Sequence, residues 1–563
     1  MMIKYELSIA NAHRHFLQLD CLIPVSSNSI EVQLPVWRPG RYERGDFAKN
    51  IRAWQVYSAE GEVLKSEKLS SHTWRIECGN TSEIRVKYEY YAAVLNAGST
   101  WIDEVQLYVN PVNCFLYLPS NQELPYEVKL IIPENWQIAG GLKKTGYHTL
   151  QASNVQEIMD SPFICSAQLE YLNYECDNIP FHIWIQGELP IDRNKLLQDF
   201  KAFTDKQLRA FGSFPVEEYH FLFQFTPYKS YHGVEHENST VIALGPSSDI
   251  VPGKLYEELL GVSCHELYHT WNIKNIRPAE MMPYDFSKEN YSRLGYVAEG
   301  VTTYFGDQFL HRCGVYSDEQ YFKELSILLD KHLENPGRFN LSLADSSFDT
   351  WLDGYTPGIP WRKVSIYNEG ALCAFLTDIA ILNHSENSLD KVMLELYENF
   401  GKKKIGYTEA DYRELCEKTG NRKLPDIFDR LIYGLEDYIP HLQNAFSLLG
   451  FELLIQASDV AWEALYGFRL DENLTITAVL PHSAADKAGL WLGDRLISWD
   501  GKALHSWSEL KAMDFNAPEA AIVAQTQTGS KSLQINKLPD FGFKKSSLRL
   551  LAENDLYQRW KNR

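Results

Sequence analysis

Ser263-Cys264-His265-Glu266-Leu267-Tyr268-His269-Thr270-Trp271 is the stretch from which the rest of the chain can be read. Residues four apart on an α-helix lie one above the other, so His265 and His269 can hold one cation between their imidazoles. Glu266 then places a carboxylate beside that ion, where it can take a proton from an attacking water. The flanks predict the helix: Gly253 to Trp271 contains no proline, and Leu255, Leu259 and Val262 keep a helical spacing into the motif.

Downstream, Pro278 and Pro283 interrupt the pattern before a second helical run from about Leu294 to Arg312, closed by Gly314. Glu299 rides on that run. Two helices joined by a loop can bring Glu299 against the histidines, giving a His2Glu set with a fourth position open. Such a set implies catalytic zinc rather than a closed structural site, although cobalt or manganese also suits these donors.

Farther out, the first 170 residues read as short alternating strands, among them Glu31–Leu34, Thr73–Ile76, Ile84–Tyr90 and Tyr126–Ile132, which predict a β-sandwich-like domain at 1–170. Within it Leu34-Pro-Val-Trp37-Arg38-Pro-Gly40-Arg-Tyr42 is turn-rich. Its aromatic and cationic residues either pack locally, the commoner outcome, or reach a neighbouring domain. A mainly helical catalytic domain is expected at 171–450, with Ser317 and Gln320 as a capping box and Thr408 as another helix cap. Strands return from 451. A strand, the small-residue helix Ala484–Ala488 and a second strand ending at Asp500-Gly501 predict one compact domain at 451–545, followed by a tail at 546–563. The fold class expected is multidomain α+β.

The 563 residues suffice for about three or four domains, and 45% hydrophobic with 13% aromatic residues describes an ordered globular chain. A net charge of −20 argues against nucleic acid and anionic membrane as partners, since both repel an acidic surface. Nine scattered cysteines without a C-x-x-C pair indicate a reducing compartment. The first ten residues lack the apolar core of a secretory signal, and no run approaches the roughly 18 apolar residues of a membrane span, so the expectation is a soluble cytoplasmic protein. Nothing in the sequence sets an oligomeric state.

The chain resembles the glycyl aminopeptidase family of zinc metallopeptidases, which joins an N-terminal β-domain, a thermolysin-like catalytic domain and a C-terminal PDZ domain. The resemblance rests on His265-Glu266-x-x-His269-Thr-Trp-Asn272 with Arg277-Pro278, on Glu299-Gly-Val-Thr-Thr-Tyr304, and on Trp37-Arg-Pro-Gly40. It also implies roles for two further segments. Gly233-Val-Glu235-His236 resembles the edge-strand motif that holds a substrate's free α-amine, making Glu235 the expected amine anchor and Gly233 part of the substrate site. Tyr367-Asn-Glu369-Gly370 resembles the segment whose phenol donates to the oxyanion, although Ile366 stands where the family usually has tyrosine and Glu369 where it has lysine.

The function implied is a zinc aminopeptidase removing small N-terminal residues, glycine or alanine, from peptides. Its partners would be a peptide with a free N-terminus and a peptide C-terminus received by the PDZ domain near Tyr466-Gly467-Phe468. Two alternatives stand beside it: an endopeptidase using the same metal site with no part for Glu235, and an inactive PDZ peptide-binding adaptor.

Overall fold

Alternation of apolar and polar residues along Ile3–Asn11, Phe16–Pro24 and Glu83–Tyr91 turns one face of each strand inward, and these form the centre of a seven-stranded sheet. Tyr5 lies opposite Cys21 on an antiparallel neighbour and opposite Val128 on Tyr126–Ile131, the one parallel partner. A four-stranded sheet containing Gln106–Val109 and Phe163–Ser166, and a three-stranded one containing Ser29–Gln33 and Thr73–Glu77, complete the predicted β-rich domain. The computed structural model describes residues 1–250, 253–356 and 358–563.

A five-stranded sheet follows, in the order Glu170–Cys176, Ile179–Gln186, Tyr219–Phe225, Ser239–Gly245, Ser230–Glu235. Tyr219–Phe225 is buried throughout, as a central strand covered on both faces should be. Ser230–Glu235 is an edge strand, antiparallel to Ser239–Gly245. Against this sheet packs the helix Lys254–Tyr268, matching the periodicity of the motif.

Packing divides the described residues into two units. One holds Met1–Ser317, Ala344–Gly358 and His384–Leu424; the other holds Asp318–Leu343, Ile359–Asn383 and Pro425–Arg563. The helix Asp318–Glu334 and most of the helix Asn368–His384 fall in the second unit, with the C-terminal elements. At the C-terminal end Lys544–Leu550 pairs antiparallel with Phe451–Ala457, and the helix Asp555–Lys561 buries Trp560 against Tyr321 and Phe375. At Thr408 the capping box is present in both directions, with Asp411 N–H donating to Thr408 Oγ1 at 3.3 Å and Thr408 N–H to Asp411 Oδ2 at 2.8 Å.

The PDZ domain builds its core from Trp462, Phe468, Ile476, Leu496 and Trp499 among others. Gly467, with φ of +73°, ends the helix Ala461–Tyr466, and its N–H donates to the Trp462 and Glu463 carbonyls, both at 3.2 Å. That amide, expected to help receive a peptide carboxylate, is already engaged. All nine cysteines are free thiols, and among the described residues no helix is long and apolar enough to cross a membrane.

Candidate active site

His265 projects from the last turn of the Lys254–Tyr268 helix and His269 is its C-terminal cap. Their Nε2 atoms face each other at 3.0 Å. Glu299 Oε2 stands 3.4 Å from His269 Nε2 and 3.8 Å from His265 Nε2, so the three predicted ligands converge. Where a plain helix was expected, Glu299 lies in a π-helical turn, Tyr296–Val301, that runs into the α-helix Thr302–Arg312. Such wide turns are frequent at functional sites, because they rotate one residue out of the regular register.

Asn272 ties the two ligand segments together. Its backbone carbonyl accepts from His269 Nδ1 at 2.7 Å, which leaves the Nε2 lone pair for a cation. Its side-chain amide donates to Val297 O at 2.8 Å and to Thr302 Oγ1 at 3.0 Å, bracing the wide turn. The sequence marks Asn272 only as part of the family segment, since no spacing rule announces a residue that acts through both its backbone and its side chain.

The turn Trp37–Tyr42 reaches across to this site rather than packing only within the β-domain. Trp37 Nε1 donates to Asp285 O at 2.7 Å and its ring meets Trp351 edge-on at 5.0 Å. Tyr42 Oη donates to Glu299 Oε1 at 2.8 Å. Gly40, at φ +77°, brings its backbone against Glu235, and a methyl added there would overlap Glu235 Oε2.

Glu235 ends the edge strand, 4% exposed, and its donor-free Oε1 is buried without a hydrogen-bond partner among the described residues. Glu266 Oε2 is in the same state. Glu235, Glu266 and His269 offer ligand atoms within 4.8 Å of one another. Gly233 leaves room for the Glu266 carboxylate, since a side chain there would collide with Glu266 Oε1. His236 instead pairs with Asp160, Nδ1 to Oδ1 at 3.1 Å, and Asp160 also takes Lys274 Nζ at 2.8 Å and the Glu237 N–H at 2.9 Å.

Burial pushes the carboxyl groups of Glu235 and Glu266 up, and mutual repulsion with Glu299 adds to the rise against the lowering pull of His269. Two imidazole nitrogens at van der Waals approach and three buried carboxylates, two with an unpaired oxygen, form a site short of positive charge. The donor set fits a divalent cation.

Tyr367 belongs to the second unit. It is half-buried immediately before the helix Asn368–His384, where its carbonyl accepts from Ala371 N–H at 2.9 Å. The departure at Glu369 has a local explanation. Its carboxylate accepts the Ser365 N–H at 3.2 Å and faces buried His332 Nδ1 at 3.5 Å, so it anchors the start of this helix.

A second cluster, His182, Glu218 and His220, lies on the five-stranded sheet. There Trp184 Nε1 donates to His220 Nδ1 at 3.2 Å, which leaves the proton of a neutral ring on Nε2, facing Glu218 Oε1 at 3.4 Å. That nitrogen is a donor and not a ligand.

Residues 4–167 match the Peptidase M61 N-terminal domain, 258–373 the M61 glycyl aminopeptidase model, and 446–524 a PDZ domain. An aminopeptidase N family protein from Idiomarina loihiensis is similar over 100% of both chains, at 25% identity and a TM-score of 0.91. An M1 zinc metallopeptidase from Deinococcus radiodurans aligns with 74% of this chain and 90% of its own, at 13% identity and a TM-score of 0.44. No curated protein matches the sequence. Fold and site together define a peptidase of the metallopeptidase class. More particularly, the chain carries the two M61 glycyl aminopeptidase family domains followed by a PDZ domain.

Proposed function

We propose that this protein is a zinc-dependent aminopeptidase that removes small N-terminal residues, glycine or alanine, from peptides. The observation that carries the reading is Glu235: a buried carboxylate with an unpaired oxygen, beside Glu266 and a metal ligand, is a receptor for an ammonium group. His265, His269 and Glu299 would hold the zinc. Bound there, zinc supplies a Lewis acid that polarises a scissile carbonyl and acidifies water. Glu266 accepts the proton of the attacking water and returns it to the leaving amine, one carboxylate serving as base and then acid. Glu235 binds the substrate α-amine and sets the distance from it to the scissile bond. A blocked N-terminus would leave that buried charge unpaired, which is the source of discrimination. Tyr367 donates to the oxyanion, a role that rests on its family segment. The preference for a small first residue rests on the glycyl aminopeptidase match. In this reading the peptide partner is the substrate with a free N-terminus, and the engaged Gly467 amide gives no support to a second peptide at the PDZ loop.

The test is cleavage of an alanyl-leading peptide and of its N-acetylated twin by zinc-loaded protein, read by mass spectrometry. The expected result is loss of one residue from the free form alone. Equal cleavage of both, or internal cuts, would make the enzyme an endopeptidase and take Glu235 out of the site.

A further inference from the structure

The turn that presents Gly40 to Glu235 also carries an arginine with nothing to bind. Arg38 is 6% exposed, and its guanidinium has no hydrogen-bond acceptor among the described residues; Nη1 is fully shielded and unpaired. It lies on a floor made by Gly98, where a methyl would overlap the guanidinium. That floor is held in place: Asn96 Oδ1 accepts the Gly98 N–H at 2.9 Å, and Asn113 Nδ2 donates to Gly98 O at 3.0 Å. A buried, unpaired guanidinium is costly to maintain, and five donors in a planar fork match a carboxylate.

Arg38 lines a cavity of about 320 Å³ with Arg41, Glu43, Lys49, Asn96 and Asn113. Glu43 is taken up by an ion pair with Arg41, so of three cations and one carboxylate two positive charges are left over, in a chain whose net charge is −20. His232, on the strand that ends in Glu235, feels the same field. Its imidazole is pushed down to about 3 by burial and by the nearby Arg38 and Arg41. Glu235 is itself among the charges acting on Arg38. Gly40 follows Arg38 by two positions, so their Cα atoms are at most about 7 Å apart, within the reach of a di- or tripeptide, which extends roughly 7–11 Å. Cationic cavity and amine anchor are therefore neighbours along one turn, Arg38 lining the first and Gly40 lying against the second.

Resting on the aminopeptidase reading, we propose that this cavity is a carboxylate subsite in which Arg38, aided by Arg41 and Lys49, binds a carboxylate of the peptide whose amine Glu235 holds. The carboxylate comes from the C-terminus of a di- or tripeptide or from an acidic side chain just after the scissile bond. The enzyme is accordingly tuned to short peptides or to acidic second residues.

Two substrate pairs separate the sources: alanyl-alanine against its C-terminal amide, and alanyl-glutamate amide against alanyl-glutamine amide. With wild-type, zinc-loaded protein the acid of at least one pair should have a KM about ten- to a hundredfold lower, with kcat little changed. Arg38→Gln should erase the preference, and Arg38→Lys should restore part of it. Equal kcat/KM within both pairs in the wild type would overturn the proposal while leaving the aminopeptidase reading intact. Should Arg38→Gln not fold, the wild-type comparison and Arg41→Gln decide. If no peptide is cleaved, the aminopeptidase reading fails and calorimetry on Glu266→Gln protein decides the subsite. Tighter binding of alanyl-alanine than of its amide supports it; equal binding, or none, overturns it.

Discussion

Tyr42, in the N-terminal β-domain, donates a 2.8 Å hydrogen bond to Oε1 of Glu299, whose other oxygen faces the two histidines. A phenol from one domain thus orients a candidate metal ligand supplied by another. This bond holds Oε1 and leaves Oε2 turned toward the histidines, where the carboxylate would serve as a ligand, and such outer partners tune metal affinity. Tyr42→Phe should weaken zinc binding about ten- to a hundredfold, measured by chelator competition, with activity restored at saturating zinc. Unchanged affinity would mean that Glu299 needs no outside support.

Gly233 gives the Glu266 carboxylate its room. Gly233→Ala should lower kcat at least about tenfold while zinc content stays stoichiometric, because the carboxylate is displaced and the ligands are not. Glu266→Gln should also keep the metal yet retain less than about a hundredth of the turnover. Metal loss in either variant would move the defect from the base to the ligand set.

Glu235→Gln should raise KM for peptides with a free N-terminus about tenfold or more, and narrow the gap between free and acetylated substrates. Gly40→Ala should act in the same direction, since it strains a backbone at φ +77° and crowds the Glu235 carboxylate. A pure kcat effect with KM unchanged would assign Glu235 to the chemistry and not to binding.

Asp160 links the segment after Glu235 to the loop after the metal motif. Burial alone would raise its carboxyl, but Lys274 and His236 overcome that and hold it at about 2, against an ordinary 3.8. Because the folded value is the lower one, the pairing stabilises the protein above about pH 4 and that contribution, roughly 2 kcal/mol, is lost as pH falls toward 2. Denaturant midpoints measured across this range should show the loss in wild type and not in Asp160→Asn. Lys274→Met, which strands the carboxylate in the interior, should cost about 3–5 kcal/mol at neutral pH.

Tyr367→Phe should reduce kcat about a hundred- to a thousandfold with zinc affinity and KM nearly unchanged, as removal of an oxyanion donor does. A rate within a few-fold of wild type would transfer that role elsewhere.

The elements that were legible beforehand are those whose signal is local. His265, Glu266 and His269 share one helix, so a spacing of four suffices to place them, and the alternation in Glu83–Tyr91 is enough to make a strand. Glu299 was legible as a residue but not in its π-helical setting, because that turn is braced by Asn272 from another segment. The packing of the last helix is illegible for a similar reason: Trp560 finds its neighbours, Tyr321 and Phe375, far away in sequence.

Local pattern alone sets the chemistry on offer: a pair of imidazoles one helical turn apart, a carboxylate beside them, and a glutamate on a second helix to complete the set. Only the tertiary structure decided that Trp37–Tyr42 leaves its own sheet to put Gly40 on Glu235, Tyr42 on Glu299 and Arg38 in an adjacent cavity. Periodicity records which face of an element is buried, whereas the partner of a turn is chosen by packing and charge pairing between segments hundreds of residues apart, and no local pattern encodes that choice.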